Sequence, residues 1–362
     1  MINIGITCQL SRSIWSGSIK QAAINLYECL EKCGFNPMYL NNGREISEYG
    51  KNHRAFDISQ ILYDNFPELD ILIMHGFSIP EPDLSRILKK HPNCKVILYH
   101  HGNRIAIDQS NLLTGTNFQQ KINHLDQVWI PEHHDYSLQY VKAYHGTDAS
   151  VISKPYLWSP FFLNKVRNEK DLFFKPDQPA KIIVLEPNIN ASKTCLLPLL
   201  ICEAFNKSYS KACESYSFFN TEMIKINKGA KNLINQFSVT EQQKIYLNKH
   251  WKTIDVFERL GQFVLSHQSE NEMNYLYLET LYLGFPLIHN SEVLKGYGYF
   301  YNKYDIMTAA NQMYNAIINH KENLEYYESE NQKLLNKFLP ANEQNINFFK
   351  KNISHLLKKR VT

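Results

Sequence analysis

The sequence predicts an α/β protein built on two parallel sheets, each covered by helices, and three features say so. Short apolar runs alternate with stretches of helical period along nearly the whole chain. A proline-broken segment splits that alternation into two blocks. With 362 residues, the chain is long enough for each block to close its own core. A composition of 44 % hydrophobic and 20 % charged residues is ordinary for a soluble protein, and no apolar run reaches the length of a membrane span. The formal net charge of +4 permits a polyanionic partner without requiring one.

The opening MINIGITCQL lacks a basic start and reads as a first strand, not a signal peptide. A loop with Ser16, Gly17 and Ser18 leads into a helix in which Ile19, Ala22, Ala23, Leu26, Tyr27 and Leu30 keep period. Gly17 lets the backbone approach a ligand, and Lys20 in the first turn is placed to meet a phosphate. Neither GxGxxG nor a Walker lysine is present. Strand-like runs recur at 37–40, 70–75, 95–99, 127–131 and 149–152, separated by helical or loop stretches. The seven cysteines, odd in number and without paired spacing, read as reduced thiols of a cytoplasmic protein. Cys29 and Cys33, one helical turn apart, are either packing or a metal pair.

At the end of one run, VILYHHGNR sets His100 and His101 after four apolar residues, so alternation points one imidazole into the crevice above the sheet. There it would donate to a sugar hydroxyl or phosphate, or share a proton with an acceptor. A metal pair or a polar loop are the other readings. His133 and His134 repeat the pattern after the next strand.

Residues 154–180 carry four prolines and scattered charge, which makes them the best domain boundary, and their SPFF stretch is suited to docking on a neighbouring surface. KIIVLEPN then reads as a strand and SKTCLLPLLICEAF as a helix. Lys193 at that helix start suits a diphosphate, or else caps the helix in solvent, and Glu186, Pro187 and Asn188 line the same mouth. The segment QFVLSHQSENEMNYLYLETLYLGFPLIHN gives strand 262–266, a polar loop, a helix with Tyr275, Leu278, Leu281 and Tyr282 on its apolar face, a stop at Gly284, and strand 285–289. Its loop sits at the carboxyl end of a strand, where open parallel sheets bind ligands, and its helix start suits a diphosphate. Glu279 is a carboxylate among Leu278, Thr280 and Leu281; it either accepts from two sugar hydroxyls or is a helix-surface residue. Helices are expected at 306–319, 321–338 and 342–359, the last ending in Lys358, Lys359 and Arg360, a solvated end or a phosphate contact. There is no Asp-x-Asp, no zinc spacing and no Gly-x-Ser-x-Gly elbow.

These residues carry a resemblance. The segment from Asn271 to Glu279 resembles the donor motif of retaining GT-B glycosyltransferases, in which two glutamates eight positions apart bracket a glycine loop. The second glutamate is Glu279, the first falls on Asn271 with Glu272 one place off, and the glycine falls on Asn274. Lys193 matches the diphosphate lysine that follows the first strand of the second domain. The blocks EPN-x4-K, SHQ-x-EN-x-MN-x4-E and GFPLIHN-x6-YGYFY look like an uncharacterised glycosyltransferase-like family of bacteria and phages. The first domain is loosely similar to the DNA α-glucosyltransferases of T-even phages, in Tyr99 and His101 and in Gly17 and Lys20.

The resemblance implies a GT-B fold, two Rossmann-like domains with a cleft between them. The expected domains are an acceptor-side domain at 1–155, a nucleotide-sugar domain at 156–340, and a C-terminal helix at 341–362 packing back on the first. It implies transfer of a sugar from a nucleoside diphosphate, UDP above all, to a hydroxyl, with retention and without a metal. The donor would be held by Gly17, Lys20, Glu186, Asn188, Lys193, His267, Asn274, Tyr275 and Glu279, with His101, Lys193 and Glu272 catalytic. His133 and His134 would lie on the acceptor side. The acceptor expected is 5-hydroxymethylcytosine in phage double-stranded DNA, by glucosyl or arabinosyl transfer in a host cytoplasm. A cell-surface polysaccharide is the alternative. A non-catalytic nucleotide-binding protein and a sugar-nucleotide epimerase on the same frame are the remaining readings.

Overall fold

The computed structural model describes residues 1–10, 13–43, 53–116, 121–146 and 149–358, the side chain of Ser16 excepted; Lys359 and Arg360 of the expected basic tail lie outside the described residues. The chain divides into two compact units, Met1–Ser159 with Asn336–Thr362, and Pro160–Leu335. Residues 156–159 stay with the first unit because Trp158 N–H donates to Phe338 O at 2.8 Å and Tyr156 stands edge-on to the Phe338 ring.

In chain order the first unit runs β1 (Asn3–Cys8), α1 (Ser18–Lys32), β2 (Asn36–Asn41), β3 (Ala55–Asp57), β4 (Ile71–Met74), α2 (Glu81–Lys90), β5 (Lys95–Tyr99), α3 (Arg104–Thr114), β6 (Gln127–Pro131), α4 (Leu138–His145) and β7 (Ser150–Lys154). Its seven strands lie in the order β3-β2-β1-β4-β5-β6-β7, all parallel. The interior strands β1, β4, β5 and β6 read as near-continuous apolar runs because helices cover both faces. Strand β3 was not expected: three half-buried residues give no periodicity. In α1 the expected face shifts, since Ile19 opens the helix exposed while Gln21 and Asn25 are buried.

The second unit runs α5 (Phe161–Val166), β8 (Lys181–Val184), α6 (Leu196–Tyr209), β9 (Ser215–Phe218), α7 (Glu222–Ile226), α8 (Lys228–Ile234), α9 (Ser238–Glu241), β10 (Ile245–Leu247), α10 (Thr253–Leu260), β11 (Phe263–Leu265), α11 (Tyr275–Tyr282), β12 (Leu287–His289), β13 (Tyr299–Phe300) and α12 (Ile306–Leu335). Its strand order is β10-β9-β8-β11-β12-β13, again parallel throughout. The helices expected at 306–319 and 321–338 are one helix, α12. The buried His320 does not break it, because its ring bonds outward to Gly284 O at 3.0 Å and Tyr299 OH at 3.1 Å. α5 forms inside the expected linker, with Phe162 of the SPFF stretch buried in it. Gly284 ends α11 at φ +74, a left-handed backbone that favours glycine, and an added Cβ would also have to displace the Glu328 carboxylate, 2.6 Å away.

α13 (Glu343–Lys358) returns to the first unit and packs on α1. Cys33 Sγ donates to Ile346 O at 3.4 Å and the Phe349 ring stands 5.4 Å from Trp129. Cys29 and Cys33 thus belong to packing; among the described residues all seven cysteines are free and buried, and no cluster of three metal-ligating side chains stands together. Among the described residues no helix is long and apolar enough to cross a membrane.

Two outcomes are expected. Phe349→Ala deletes a fully buried ring and should lower stability by about 3–5 kcal/mol in urea titration. Burial holds the imidazoles of His75, His100, His101 and His145 below the usual 6.5, His101 at about 3 and His145 at about 4. The unfolded chain therefore binds protons below 6.5 that the folded chain refuses, and the urea midpoint should fall as pH drops from about 6.5 to about 4. A flat midpoint over that interval would contradict it.

Candidate functional site

In the second sheet the strand order reverses between β8 and β11: β8 connects to β9 on one side and β11 to β12 on the other. The two loops part at the carboxyl ends of these strands and leave a crevice, the place where open parallel sheets take ligands. Glu186 follows β8 and is fully buried there. Its carboxylate accepts from Ser266 Oγ, from His267 N–H at 3.2 Å and from Gln268 Nε2 at 3.1 Å, all in the loop after β11. Burial pushes its carboxyl up to about 7, while the Ser266 hydroxyl and the charge of Lys193 work against that rise. Lys193 is itself pulled below its usual range by burial, with Glu186 opposing.

Lys193 was expected at the start of α6. The helix begins three residues later, at Leu196, with Pro198 in its first turn, where a missing N–H costs nothing. The preceding loop is braced from within. Asn188, in the left-handed region at φ +53, donates to Glu186 O and Asn220 O and accepts from Cys195 N–H at 2.8 Å. Ser269 N–H donates to Ser192 O at 3.0 Å, so the loop carrying Lys193 touches the loop after β11.

That second loop is wired residue by residue. Gln268 Oε1 accepts from Asn271 Nδ2, and Asn290 bonds both backbone groups of Gln268, at 3.0 and 2.9 Å. Tyr301 OH donates to Ser266 O at 3.1 Å, so the 3.1 Å contact between this hydroxyl and His267 Nδ1 requires the proton on Nδ1. His267 Nε2 is left as a lone-pair acceptor, buried and without a partner. Burial holds this ring at about 4, hence neutral at pH 7. Asn274 caps α11 by accepting from Tyr277 N–H at 2.9 Å, which leaves its Nδ2 a buried donor without a partner. Tyr275 and Glu279 are both buried in α11, so Glu279 is not a helix-surface residue. Glu272 accepts from Glu292 N–H at 2.7 Å and its carbonyl from Ser291 Oγ at 2.6 Å, tying this loop to the one after β12. Burial raises its carboxyl, and the Glu292 N–H it accepts from works against that rise.

Gly17, Lys20 and His101 stand in the first unit. Gly17 precedes α1 with open space on its side-chain face, and Lys20 Nζ reaches Ser13 O at 3.5 Å. The two histidines after β5 take different surroundings. His100 is buried and stacked on His145 at 5.8 Å. His101 donates from Nε2 to His75 O at 2.9 Å, with its ring 4.2 Å from His75 and 4.8 Å from Tyr99. The rings of His133 and His134 lie 4.2 Å apart, tilted by 57°. Lys154, read in the sequence as the start of the linker, ends β7 instead: it is buried, its ammonium lies 4.0 Å from the Tyr99 ring centre, and burial brings it down to about 7.

A family described as "Protein of unknown function (DUF2827)" matches residues 2–353. No curated protein matches the sequence. Among solved structures, the chain is similar to an α,α-trehalose-phosphate synthase (UDP-forming) from Burkholderia vietnamiensis, at a TM-score of 0.59 and 11 % identity over 99 % of both chains. It is similar to Anabaena HepE in complex with UDP-glucose, at a TM-score of 0.55 and 10 % identity over 99 % of this chain and 100 % of that one. It is also similar to S. aureus TarM in complex with UDP, at a TM-score of 0.50 and 11 % identity over 78 % of this chain, which spans 55 % of TarM. The fold is therefore that of the GT-B glycosyltransferases. None of these three is a phage DNA glucosyltransferase, and that part of the expectation rests on Gly17, Lys20, Tyr99 and His101 alone.

Because Glu186 holds its proton up to about 7 in the folded chain and releases it near 4.5 when unfolded, its own share of folding stability falls as pH rises between those values, by up to about 3 kcal/mol, against the larger opposite trend set by the buried histidines. Glu186→Gln removes this dependence. Its stability relative to the parent should improve steadily from pH 5 to pH 8 in urea titrations. A constant difference would show an ordinary carboxylate.

Proposed function

We propose that this chain, which belongs to the family described as "Protein of unknown function (DUF2827)", is a glycosyltransferase that takes its sugar from a nucleoside diphosphate bound at the β8/β11 crevice. One observation carries the reading. Two buried polar atoms of opposite character, the acceptor His267 Nε2 and the donor Asn274 Nδ2, lack partners on the loop that Lys193 adjoins. Leaving such an atom unmade costs about 1–3 kcal/mol, and a ligand bearing both hydroxyls and phosphate oxygens satisfies the two at once. HepE bound to UDP-glucose and TarM bound to UDP support UDP as the nucleotide.

In this reading Lys193 and the amino end of α11 hold the diphosphate, Asn274 Nδ2 donates to one of its oxygens, and Glu279 accepts from the ribose hydroxyls. His267 Nε2 accepts from a hydroxyl of the sugar. Glu186, Asn188 and Tyr275 shape the loops that present these groups. The bond between the anomeric carbon and the diphosphate oxygen breaks, the acceptor oxygen bonds to that carbon, and the acceptor's proton passes to the departing diphosphate. Charge builds on the diphosphate, and Lys193 with the helix end stabilises it without a metal. Retention follows from the donor motif, with Glu272 the nearest carboxylate to the register that Asn271 occupies.

A thermal-shift panel of nucleoside diphosphates and their sugars tests the donor. UDP at a hundred times its Kd should stabilise the protein by about 2.7 kcal/mol. Lys193→Ala and Glu279→Gln should each weaken UDP at least about tenfold, the scale of a charged hydrogen bond. Sugar transfer should persist in EDTA. Offering hydroxymethylated double-stranded DNA beside a glycan panel decides the acceptor, and DNA transfer should collapse with added salt. No shift with any nucleotide would end the proposal.

A further inference from the structure

The second unit carries a face that its own fold leaves uncovered. Ile189 (70 % exposed), Leu196 (47 %), Met223 (65 %) and Leu233 (36 %) border one hollow of about 380 Å³, which the buried Leu199 and Ile234 also line. Ile226, 70 % exposed, stands one turn from Met223 on α7. Single apolar residues on a surface need no explanation; four gathered around one hollow, with a fifth a turn away, do.

The helices that carry these apolar residues also carry lysines. Lys225, Lys228 and Lys231 are exposed on α7 and α8, and Lys249 is exposed next to Asn248, whose carbonyl holds Thr221 at the start of α7. The one acid of α7, Glu222, is turned onto the backbone N–H of His250 at 2.9 Å. An apolar centre with lysines on its own helices selects among partners. A second copy of the same face, related by a two-fold axis, would set lysine against lysine. Nucleic acid would meet the lysines but leave five aliphatic and thioether side chains with nothing to stack on. A bilayer with anionic headgroups satisfies both parts, and its chains are flexible enough to follow the hollow.

We infer that this face docks on an anionic lipid surface, with the lysines at the headgroups and Ile189, Met223 and Ile226 in the acyl boundary. The inference does not depend on the nucleotide reading. It is tested by sedimenting the full chain with phosphatidylcholine vesicles, with and without phosphatidylglycerol. Binding should require phosphatidylglycerol and weaken with salt. The triple variant Lys225→Glu, Lys228→Glu, Lys231→Glu should partition on the order of a hundredfold less. The double variant Met223→Ser, Ile226→Ser should lose about tenfold or more, from the apolar area withdrawn. An unchanged melting temperature certifies that both variants are folded. Equal binding to both vesicle types, binding indifferent to the substitutions, or no binding at all would overturn the inference. So would a dimer in sedimentation velocity that the double variant dissolves.

Discussion

A buried carboxylate, Glu186, sets the terms for everything at the mouth of the second sheet. An acid wholly removed from water persists in a fold only where hydrogen bonds and an opposite charge surround it. Here the donors come from Ser266, His267 and Gln268 on the far side of the β8/β11 junction, and the charge from Lys193 on its own loop. Meeting these demands pulls two loops, some eighty positions apart in sequence, onto one atom group. The geometry then propagates. The Ser266 hydroxyl also reaches Tyr277 OH at 3.0 Å, on the helix that Asn274 caps, so the orphan donor of Asn274 is held in place through the same network.

The first unit has the same strand reversal, between β1 and β4, and fills it differently. Backbone closes the junction: Gly76 N–H donates to Thr7 O at 2.8 Å, and a side chain on Gly76 would meet Cys8 Cα at 3.0 Å. Thr7 Oγ1 adds bonds to Phe77 O and His75 N–H. Among the described residues the buried acid nearest this end, Asp108 of α3, is bonded by Arg104 and Tyr140. The polar groups of this end are His75, His101 and Lys154 around the Tyr99 ring, and burial drives all three toward their neutral forms. Two sheets of one topology thus present different chemistry, a buried carboxyl beside a lysine in one and neutralised bases in the other.

How much of this was legible depends on how far each signal reaches along the chain. Strands buried on both faces are visible as apolar runs, and Gly284 marks a helix end because the left-handed backbone there favours glycine. β3 is invisible because three half-buried residues make no pattern, and α12 looked divided because a buried histidine in mid-helix reads as polar until its ring partners are known. Glu279 stood out as a charge in apolar surroundings, Lys193 by its place near a helix start, and Glu186 by lining the same mouth. Ser266, Gln268, Asn290 and Tyr301 did not, since small polar residues at strand ends look like any loop until their partners, up to eighty residues away, are placed. Lys154 was lost for the same reason: its burial follows from β6 and Tyr99, not from its neighbours in sequence.

Asn271, the departure from the two-glutamate motif, is explained by the same carboxylate. Glu186 Oε2 accepts from Gln268 Nε2, which forces Gln268 Oε1 to face the other way, toward residue 271. A group at that position must donate, and the amide of Asn271 does so, to Gln268 Oε1 and to Met273 O at 3.3 Å. A carboxylate there would confront two acceptors; turning Gln268 over to suit it would point an oxygen at Glu186. The chain can carry a buried acid at 186 or an acid at 271 without strain, and it carries the first. The buried acid of these loops thus stands at the base of the crevice, beside the lysine, while position 271 carries an amide. A transfer reaction built on this arrangement leans on stabilising the departing diphosphate more than on any carboxylate facing the sugar.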